Sequence, residues 1–400
     1  MFDALDEWEH TINRWLARKA YEARTDAHDM LGWLGGSRTS THIIAVRSRC
    51  FDERKEYAHA LGKYASQVRP LKHANYIVAR TDERALPGVI GSWEARPVCE
   101  PGLIDRVTFP QRARSCAAPE APYHLEQIGV PRAQTVSRGN GIGVALIDTG
   151  ADEKHRELQG KVIDGYDFVN DRPGCYDDNG HGTHVAGLVC GTVVGAAPGA
   201  HVYVAKVLDA YGCGNEGSVA LGIDWALEKD VRLMNMSLGS RSPSPLEREL
   251  MNAAHRKNII VCAAAGNEGR GPSYPAAFEH VLSVAAVDRH NEHAAFSNID
   301  PSVDISAPGV AIVSCVPGNG YAQHSGTSMA TPLACGVGAL VAATGCSALE
   351  LALQTGAQQL GPHDTFGAGL VRADNSVGAL HKQYNRGMAV PGHGHRWHER

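Results

Sequence analysis

The chain has 400 residues, of which 43% are hydrophobic and 20% are charged, and its formal net charge is −5 at neutral pH. These proportions are those of an ordinary globular protein, and the length allows more than one domain. The negative balance gives no reason to expect a nucleic-acid partner. No apolar run approaches the roughly eighteen residues that a membrane-spanning helix needs, so no membrane span is expected.

The first segment, residues 1–36, carries apolar residues at helical spacing and predicts an amphipathic helical extension. These residues are Phe2, Leu5, Trp8, Ile12, Trp15 and Leu16. Charged residues interrupt every apolar run, so the segment lacks the apolar core of a signal peptide. The ten cysteines lack the spacing of a zinc site or a disulfide framework, which favours free thiols in a reducing compartment. We therefore expect a cytoplasmic protein, with secretion by another route left open.

Residues 41–110 alternate short strand-like and helix-like stretches and predict a small α+β domain. In chain order these are a strand (THIIAVRS), a helix (DERKEYAHALGKYAS), a second strand (ANYIVART), a short helix and turn (DERALPG) and a third strand (VIGSWEA). Residues 111–122 are rich in Pro, Arg and Ala and predict a linker. Residues 381–400 are polar, His-rich and poor in apolar anchors, which predicts a disordered tail.

Between these segments, residues 123–380 predict an α/β domain with a mostly parallel, doubly wound sheet flanked by helices. Five apolar runs indicate buried strands: IGVALIDTG, HVYVAKVL, VRLMNMSLG, IIVCAAAGN and VLSVAAVD. The stretches EGSVALGIDWALEKD and PLERELMNAAHRKN indicate helices between them. Buried strands that alternate with helices are typical of a parallel sheet covered on both faces.

Chemically useful side chains follow the predicted strands. Asp148 ends one strand, Asn267 ends another, and His181 and Ser328 lie where helices are expected to begin. In an open parallel sheet such groups gather at the carboxyl ends of the strands. A serine hydroxyl needs a base to remove its proton, an imidazole can do this near neutral pH, and a carboxylate can orient that imidazole. Each residue alone has an ordinary explanation as a helix cap or turn former, and only the set predicts nucleophilic catalysis.

The stretch DDNGHGTHVAG has a second interpretation, because His181 and His184 are three residues apart and could face a metal together. A zinc site would need a third ligand and an open coordination position, and no HExxH-like partner is present. We therefore predict no metal there and a structural role for His184. The glycine-rich GNGIG, residues 139–143, precedes its strand instead of following it, so it lacks the context of a dinucleotide-binding loop.

The motifs VALIDTG, NGHGTHVAG and GTSMATP, in this order, resemble the three active-site motifs of the subtilisin-like serine proteases (subtilases, peptidase family S8). AAAGNEG and NMSLG resemble the oxyanion and substrate-binding segments of that family, and the likeness extends over most of residues 123–379. The resemblance implies a serine endopeptidase that works through an acyl-enzyme. It also implies a role for each residue: Asp148 orients the imidazole, His181 is the general base and acid, Ser328 is the nucleophile, and Asn267 stabilises the oxyanion.

The same resemblance implies where a polypeptide substrate would bind. The peptide would lie between two strand-like edges, formed by Gly212, Cys213 and Gly214 on one side and by Ser237, Leu238 and Gly239 on the other. The pocket for the residue before the scissile bond (S1) would be lined in part by Ala265 and Gly266, with Ser273 near its base. Glu216 would line the pocket for the fourth residue before the scissile bond (P4), where an acidic side chain departs from the family pattern and favours a basic one. A cis peptide bond between Tyr274 and Pro275 is also implied.

Many subtilases need calcium, held in part by a loop after the helix of the catalytic histidine. Here HGTHVAGLVCGTVVGAAPGAHVYVAKVL passes directly from helix to strand, and Glu157 replaces the usual aspartate, so the resemblance implies no calcium at that place. Asp167, Asp171, Asp177 and Asp178 carry hard oxygen ligands, and calcium near residues 171–178 is one interpretation. A solvated acidic loop is the other, and no cofactor is otherwise expected.

Residues 41–110 also resemble the propeptide of the subtilases, a small inhibitor and folding assistant. The resemblance implies a zymogen that binds its own N-terminal domain, with autocatalytic processing within residues 110–119. Two other functions stay open: a dedicated processing protease or peptide ligase that uses the same acyl-enzyme, and a catalytically silent binding module on this fold. The set of Asp148, His181, Ser328 and Asn267 argues against a silent module, which has no need of all four.

Overall fold

The computed structural model describes residues 41–47, 66–74, 76–82, 103–104, 114–117 and 119–384, and the structural statements below concern these residues. The helix predicted over residues 1–36 lies outside them. So do most of the helix predicted over residues 52–66, the DERALPG turn, the VIGSWEA strand and the tail beyond residue 384.

An antiparallel sheet forms the described part of the small N-terminal domain. Its strands, in the spatial order β1, β3, β2, are β1 (Thr41–Arg47), β2 (Ser66–Pro70) and β3 (Tyr76–Asp82). The first and third coincide with the two predicted strands in this part of the chain. The second was not predicted, because SQVRP lacks the apolar alternation that identifies a half-buried strand.

An eight-stranded sheet forms the centre of the C-terminal domain, and its neighbouring strands are parallel except for one antiparallel pair at the edge. Its strands are β6 (Gly143–Asp148), β7 (Val162–Asp167), β8 (Arg172–Pro173), β9 (His201–Lys206), β11 (Leu233–Met236), β12 (Ile260–Ala264), β13 (Val281–Val287) and β14 (Ile305–Pro308). Their spatial order is β14-β13-β12-β11-β6-β9-β7-β8, with β6 near the middle.

Helices cover both faces of this sheet. The described helices are α1 (Tyr123–Gln127), α2 (Val130–Ala133), α3 (His181–Cys190), α4 (Glu216–Ala226), α5 (Pro245–Arg256), α6 (Thr327–Ala342), α7 (Leu349–Gly356), α8 (His363–Phe366) and α9 (Ala373–Tyr384). Of these, α3 and α6 pack on one face of the sheet, and α4 and α5 pack on the other. Because side chains alternate along a strand, Val144 and Leu146 pack in the core that contains α3 and α6, whereas Ala145 and Ile147 pack with α4 and α5. The predicted doubly wound α/β fold is confirmed.

The central helix α6 is buried at every position, as expected for a helix that is apolar on all sides. Even so, none of the helices in the described ranges is both long and apolar enough to span a bilayer. The helices of the opposite face begin at conventional caps. Asn215 accepts from the Ser218 backbone N–H before α4, and Ser244 accepts from the Glu247 N–H before α5.

Two short strands of the N-terminal region pair with strands of the C-terminal domain. A two-residue strand, β4 (Leu103–Ile104), pairs with β10 (Gly214–Asn215), and β5 (Arg114–Cys116) pairs with β16 (Gly320–His324), which also pairs with β15 (Ile312–Val316). The predicted linker over residues 111–122 therefore contains a strand. The predicted tail also differs from the structure at its start, since α9 continues past residue 381 to Tyr384.

Candidate active site

Asp148 and His181 are in direct contact at the carboxyl end of β6. The His181 Nδ1 atom lies 2.7 Å from Asp148 Oδ1, and neither side chain is exposed to solvent. Asp148 is the last residue of its strand, and His181 is the first residue of α3. The backbone N–H of Thr149 donates a second hydrogen bond to Asp148 Oδ1, at 2.7 Å. This arrangement suits an acid that orients an imidazole ring.

A second carboxylate, that of Asp177, positions the start of α3. Its Oδ1 atom accepts from the Gly180 N–H at 2.8 Å and from the Thr149 hydroxyl at 2.9 Å, while Oδ2 accepts from the Thr183 N–H at 2.8 Å. Burial alone would raise its pKa, but the hydrogen bonds from Gly180, Thr183 and Thr149 together lower the pKa of Asp177 below its ordinary value. This role of Asp177 was not predicted from the sequence. The sequence feature that could have indicated it is the position of Asp177, three residues before Gly180, the glycine that precedes the helix.

The α3 helix approaches β6 closely because of a glycine. A Cβ atom at Gly182 would lie 2.1 Å from the Gly150 carbonyl oxygen and 3.1 Å from Asp148 Oδ1. The Gly182 backbone N–H donates to the Thr149 hydroxyl at 2.8 Å. A side chain at this position would push His181 away from Asp148.

Ser328 is the second residue of α6 and is 6% exposed. Its hydroxyl donates to the Ser237 carbonyl oxygen at 3.2 Å, and the Ser237 hydroxyl donates to the Ser328 carbonyl oxygen at 2.9 Å. This reciprocal pair ties the start of α6 to the segment that follows β11. Because α6 packs directly against α3, the serine and the histidine lie at the beginnings of two neighbouring helices.

Asn267 lies against the N-terminus of the same helix. Its side-chain carbonyl oxygen accepts from the Thr327 N–H at 2.9 Å and from the Thr327 hydroxyl at 3.0 Å. These contacts use only the oxygen of the amide group, so they leave its N–H donors available to another acceptor beside Ser328. An amide donor next to a helix N-terminus suits the stabilisation of a developing negative charge.

Gly214, the last residue of the first predicted substrate-binding edge, pairs with a segment of the N-terminal region. Gly214 and Asn215 pair antiparallel with Ile104 and Leu103 of the N-terminal region. The Cys213 N–H, on the same edge, donates to the Asp209 carboxylate at 3.0 Å. Gly212 adopts a φ of 71°, a conformation that favours glycine. The backbone of this edge is therefore accessible to a strand from outside the sheet.

The second edge and the predicted S1 pocket contact each other. A Cβ atom at Gly239 would lie 2.4 Å from the Ser273 hydroxyl oxygen, so these two residues are neighbours. Leu238 and Ala265 are each 4% exposed. Gly266 has a φ of 108°, and a Cβ atom there would lie 2.2 Å from Asn298 Nδ2. The peptide bond between Tyr274 and Pro275 is cis.

His184, on α3, packs against β16. Its Nε2 atom lies 3.1 Å from the Ala322 carbonyl oxygen of β16, and its ring meets that of His324 edge-on at 4.5 Å. Burial, together with the neighbouring His324, lowers the pKa of His184 well below its ordinary value. A neutral, buried ring that joins α3 to β16 agrees with the structural role predicted for it.

Glu157, which replaces the usual aspartate, and the four aspartates named as possible calcium ligands are all in contact with other protein groups. Glu157 is buried, and its carboxylate accepts from the Val193 N–H at 2.7 Å and from the Tyr321 hydroxyl at 2.7 Å. Asp178 contacts Lys206, and Asp171 contacts Arg69.

The remaining two carboxylates, of Asp167 and Asp177, accept from neighbouring backbone N–H groups. Within the ranges that the structure describes, no three His, Cys, Asp or Glu side chains form a group that could hold a metal ion. These carboxylates are therefore already paired with donors of the protein itself.

Comparison with known proteins identifies the family. A profile of the subtilase family matches residues 139–369. A thermostable alkaline protease from Halalkalibacterium halodurans is 43% identical over 249 residues, which cover 60% of this chain and 68% of that protein. Subtilisin Savinase from Lederbergia lenta is 39% identical over 268 residues, which cover 64% of this chain and 98% of that protein. Thermitase from Thermoactinomyces vulgaris is 36% identical over 265 residues, which cover 64% of this chain and 95% of that protein.

These relatives correct one expectation. The cytoplasmic location predicted from the N-terminal sequence is wrong, because the similar proteases are secreted, extracellular subtilisins. The family match spans more than half of the chain and includes Asp148, His181, Asn267 and Ser328. The chain therefore belongs to the subtilase family and is a subtilisin-like serine endopeptidase.

Proposed function

We propose that Asp148, His181 and Ser328 form the catalytic triad of this endopeptidase. The observation that carries the proposal is the buried contact of 2.7 Å between His181 Nδ1 and Asp148 Oδ1. That contact directs Nε2, the other ring nitrogen, away from the acid. The position of Ser328 at the start of α6, which packs against α3, supports its role as the nucleophile.

In the acylation step, His181 Nε2 takes the proton of Ser328 Oγ as the oxygen attacks the carbonyl carbon of the scissile bond. The Ser328 hydroxyl, which now donates to the Ser237 carbonyl oxygen at 3.2 Å, turns towards the imidazole in this step. Asp148 stabilises the imidazolium that forms. The proton then passes to the leaving nitrogen as the C–N bond breaks, which forms the acyl-enzyme and releases the amine.

The negative charge on the carbonyl oxygen is stabilised by the Asn267 amide and by the backbone N–H of Ser328. Water then attacks the carbonyl carbon of the acyl-enzyme while His181 takes its proton, and the imidazolium returns that proton to Ser328 Oγ as the ester bond breaks and the carboxylic acid product leaves. The two hydrogen bonds from Thr327 to the Asn267 carbonyl oxygen support this role, because they orient the amide before the substrate arrives.

We further propose that the chain is made as a zymogen and processes itself. The pairing of Leu103 and Ile104 with β10 supports this, because this peptide covers the edge that a substrate would use. The pairing of β5 with β16 anchors the chain again at Arg114. The processed bond would lie between these two anchored strands, within residues 105–113. That interval overlaps the start of the window expected from the sequence.

Mass spectrometry of the purified full chain beside its Ser328→Ala variant tests both proposals. The wild-type chain should yield a product that begins within residues 105–114, and the variant should stay intact. A fluorophosphonate probe should label the wild-type chain at Ser328 and leave the variant unlabelled. Ser242→Ala, at an exposed serine, is the matched control and should behave as wild type. Identical fragments from both chains would rule out self-processing, and an unlabelled wild-type chain would rule out the triad.

A further inference from the structure

We propose that Lys206 is a positioning residue for catalysis: its buried ammonium group ties the residue that follows Asp148 to the loop that leads into His181. The inference rests on the proposed triad, and it assigns to Lys206 an effect on the reaction without any contact with the substrate. None of the three sequence motifs that indicate the triad contains this lysine.

The lysine is buried beside the carboxyl end of the central strand β6. Lys206 is the last residue of β9, and in the register of these two parallel strands it is paired with Asp148. Its side chain is only 1% exposed, although lysine is almost never fully buried unless it is paired. A buried charge is costly unless it is hydrogen-bonded, so the fold keeps this ammonium group in contact with its acceptors.

Three acceptors surround the ammonium group. Lys206 Nζ donates to the carbonyl oxygens of Thr149 and Leu208, at 2.7 and 2.8 Å. It also donates to Asp178 Oδ1 at 2.7 Å. An ammonium group has three donors and no acceptor, so these contacts use it completely. The lysine therefore connects two separate backbone segments and one acidic side chain.

Thr149 passes this contact on to the catalytic acid and to the helix of the base. Its N–H donates to Asp148 Oδ1 at 2.7 Å, and its hydroxyl accepts from the Gly182 N–H at 2.8 Å. Gly182 is the residue after His181 in α3. By fixing the Thr149 carbonyl group, Lys206 fixes the one residue on which both of these contacts depend.

The ion pair with Asp178 holds the loop that precedes α3. On one side of Asp178, the Asp177 carboxylate accepts from the Thr183 N–H in the first turn of the helix. On the other side, the Asn179 side-chain oxygen accepts from the His181 N–H at 3.1 Å. A contact at the middle of this short loop therefore restrains the position of the imidazole.

The two charges of the ion pair are screened unequally. The Asp178 side chain is 36% exposed, whereas that of Lys206 is buried, so solvent screens the carboxylate more than the ammonium group. The interior beside the triad therefore experiences a net positive charge. A positive charge near an imidazole disfavours its protonated form and keeps it able to accept a proton.

The test measures kcat and kcat/KM for one peptide between pH 5 and pH 9 with the processed full chain, per active site counted by fluorophosphonate labelling. Lys206→Met removes the charge and keeps a side chain of similar length. We expect kcat to fall by about tenfold to a hundredfold, the range for hydrogen bonds to a charged group. The acid limb of the kcat/KM profile should move to higher pH by roughly 0.5–1 pH unit, less than for a charge in direct contact.

Asp178→Asn separates the effect of charge from that of position. It leaves both carbonyl contacts of Lys206 in place, so kcat should fall less than in Lys206→Met, and the acid limb should move to lower pH. In the double variant Lys206→Met/Asp178→Asn both charges are gone. Its acid limb should return towards that of the wild type while its kcat stays low, because the Thr149 carbonyl group is still unsupported.

Lys161→Met is the matched control. That lysine also donates to two backbone carbonyl oxygens, those of Cys190 and Pro198, but it precedes β7 at the opposite edge of the sheet. The variant should keep the wild-type kcat and the wild-type acid limb. Thermal unfolding of each variant in a chain that carries Ser328→Ala shows whether it folds.

A Lys206→Met chain that folds and keeps either the wild-type kcat or the wild-type acid limb would overturn the proposal, while the triad would stand. If that variant does not fold, Asp178→Asn decides alone, because an acid limb that does not move refutes the charge coupling. For a folded variant that does not process itself, the rate of fluorophosphonate labelling over the same pH range replaces kcat/KM. A wild-type chain that hydrolyses no peptide would overturn the triad and this inference together.

Discussion

The His181 Nδ1 atom contacts Asp148 Oδ1 at 2.7 Å, while the second oxygen of that carboxylate has no hydrogen-bond partner among the described residues. Asp148→Asn would keep the shape of the site but place an amide where an acceptor is needed, so His181 would adopt the wrong tautomer. We expect kcat to fall by about 10⁴-fold with a much smaller change in KM. Steady-state kinetics on one peptide measures this. A loss below tenfold would show that Asp148 does not orient the base.

Asp177 should stabilise the fold in a pH-dependent way. Its pKa in the folded protein is below the ordinary value of 3.8, so its stabilising contribution is complete above about that pH. The contribution is lost as the pH falls through the lower folded-state pKa. Asp177→Asn should therefore reduce the free energy of unfolding by about 1–2 kcal/mol near neutral pH, the cost of losing a helix cap.

Urea titrations between pH 7 and pH 2 would measure this effect, with both chains carrying Ser328→Ala to prevent self-digestion. The difference in the free energy of unfolding between the chain with Asp177 and the Asp177→Asn chain should become smaller below about pH 4. Asp300→Asn is a suitable control, because that carboxylate also accepts from a nearby backbone N–H but lies outside the site. If the difference in the free energy of unfolding were the same at every pH from 7 to 2, the ionised Asp177 carboxylate would not be what stabilises the start of the helix.

Asn267 should stabilise the transition state more than it strengthens substrate binding. Asn267→Ala removes the amide donor beside Ser328, and we expect kcat to fall by about 10²- to 10³-fold with little change in KM. Asn375→Ala, at an exposed asparagine, should have no effect on either constant. An Asn267→Ala variant whose KM rises while kcat is unchanged would assign this residue to substrate binding instead.

Asp224 should control how long the N-terminal domain stays bound after processing. Its carboxylate accepts from the Lys72 N–H at 2.9 Å and from the His73 N–H at 2.7 Å, beside the fully buried Leu71. Hydrogen bonds to a charged group each contribute about 1.5–3 kcal/mol, so Asp224→Ala should weaken retention of the domain by tenfold or more.

Size-exclusion chromatography of the processed full chain would report this retention, and peptide hydrolysis would show how soon active sites become free. The variant should release the N-terminal domain earlier and reach its full hydrolysis rate sooner. Asp230→Ala, at an exposed acid just beyond the same helix, should match wild type. Equal retention in all three chains would show that Asp224 does not hold the domain.

The predicted strands that the structure confirms share one property. β6, β9, β11, β12 and β13 are largely buried, and their sequences are nearly continuous apolar runs. A parallel strand covered on both faces needs such a run, so it can be recognised without its neighbours. By contrast, β7 (VIDGYD) was not predicted, because it is partly exposed near the sheet edge and carries polar residues.

The sequence by itself determined which chemical groups the chain carries and at which element ends they occur. The motifs around Asp148, His181 and Ser328 combine the reactive residue with the glycines and caps that a strand end or helix start requires, so each motif carries its own local structure. What each carboxylate does was decided only by the tertiary structure. Asp177 was a candidate calcium ligand and Glu157 a departure from the family's calcium site, yet they accept from Thr149 and Tyr321, which lie 28 and 164 residues away along the chain. The role of a buried acid depends on the donors around it, and folding alone brings those donors together.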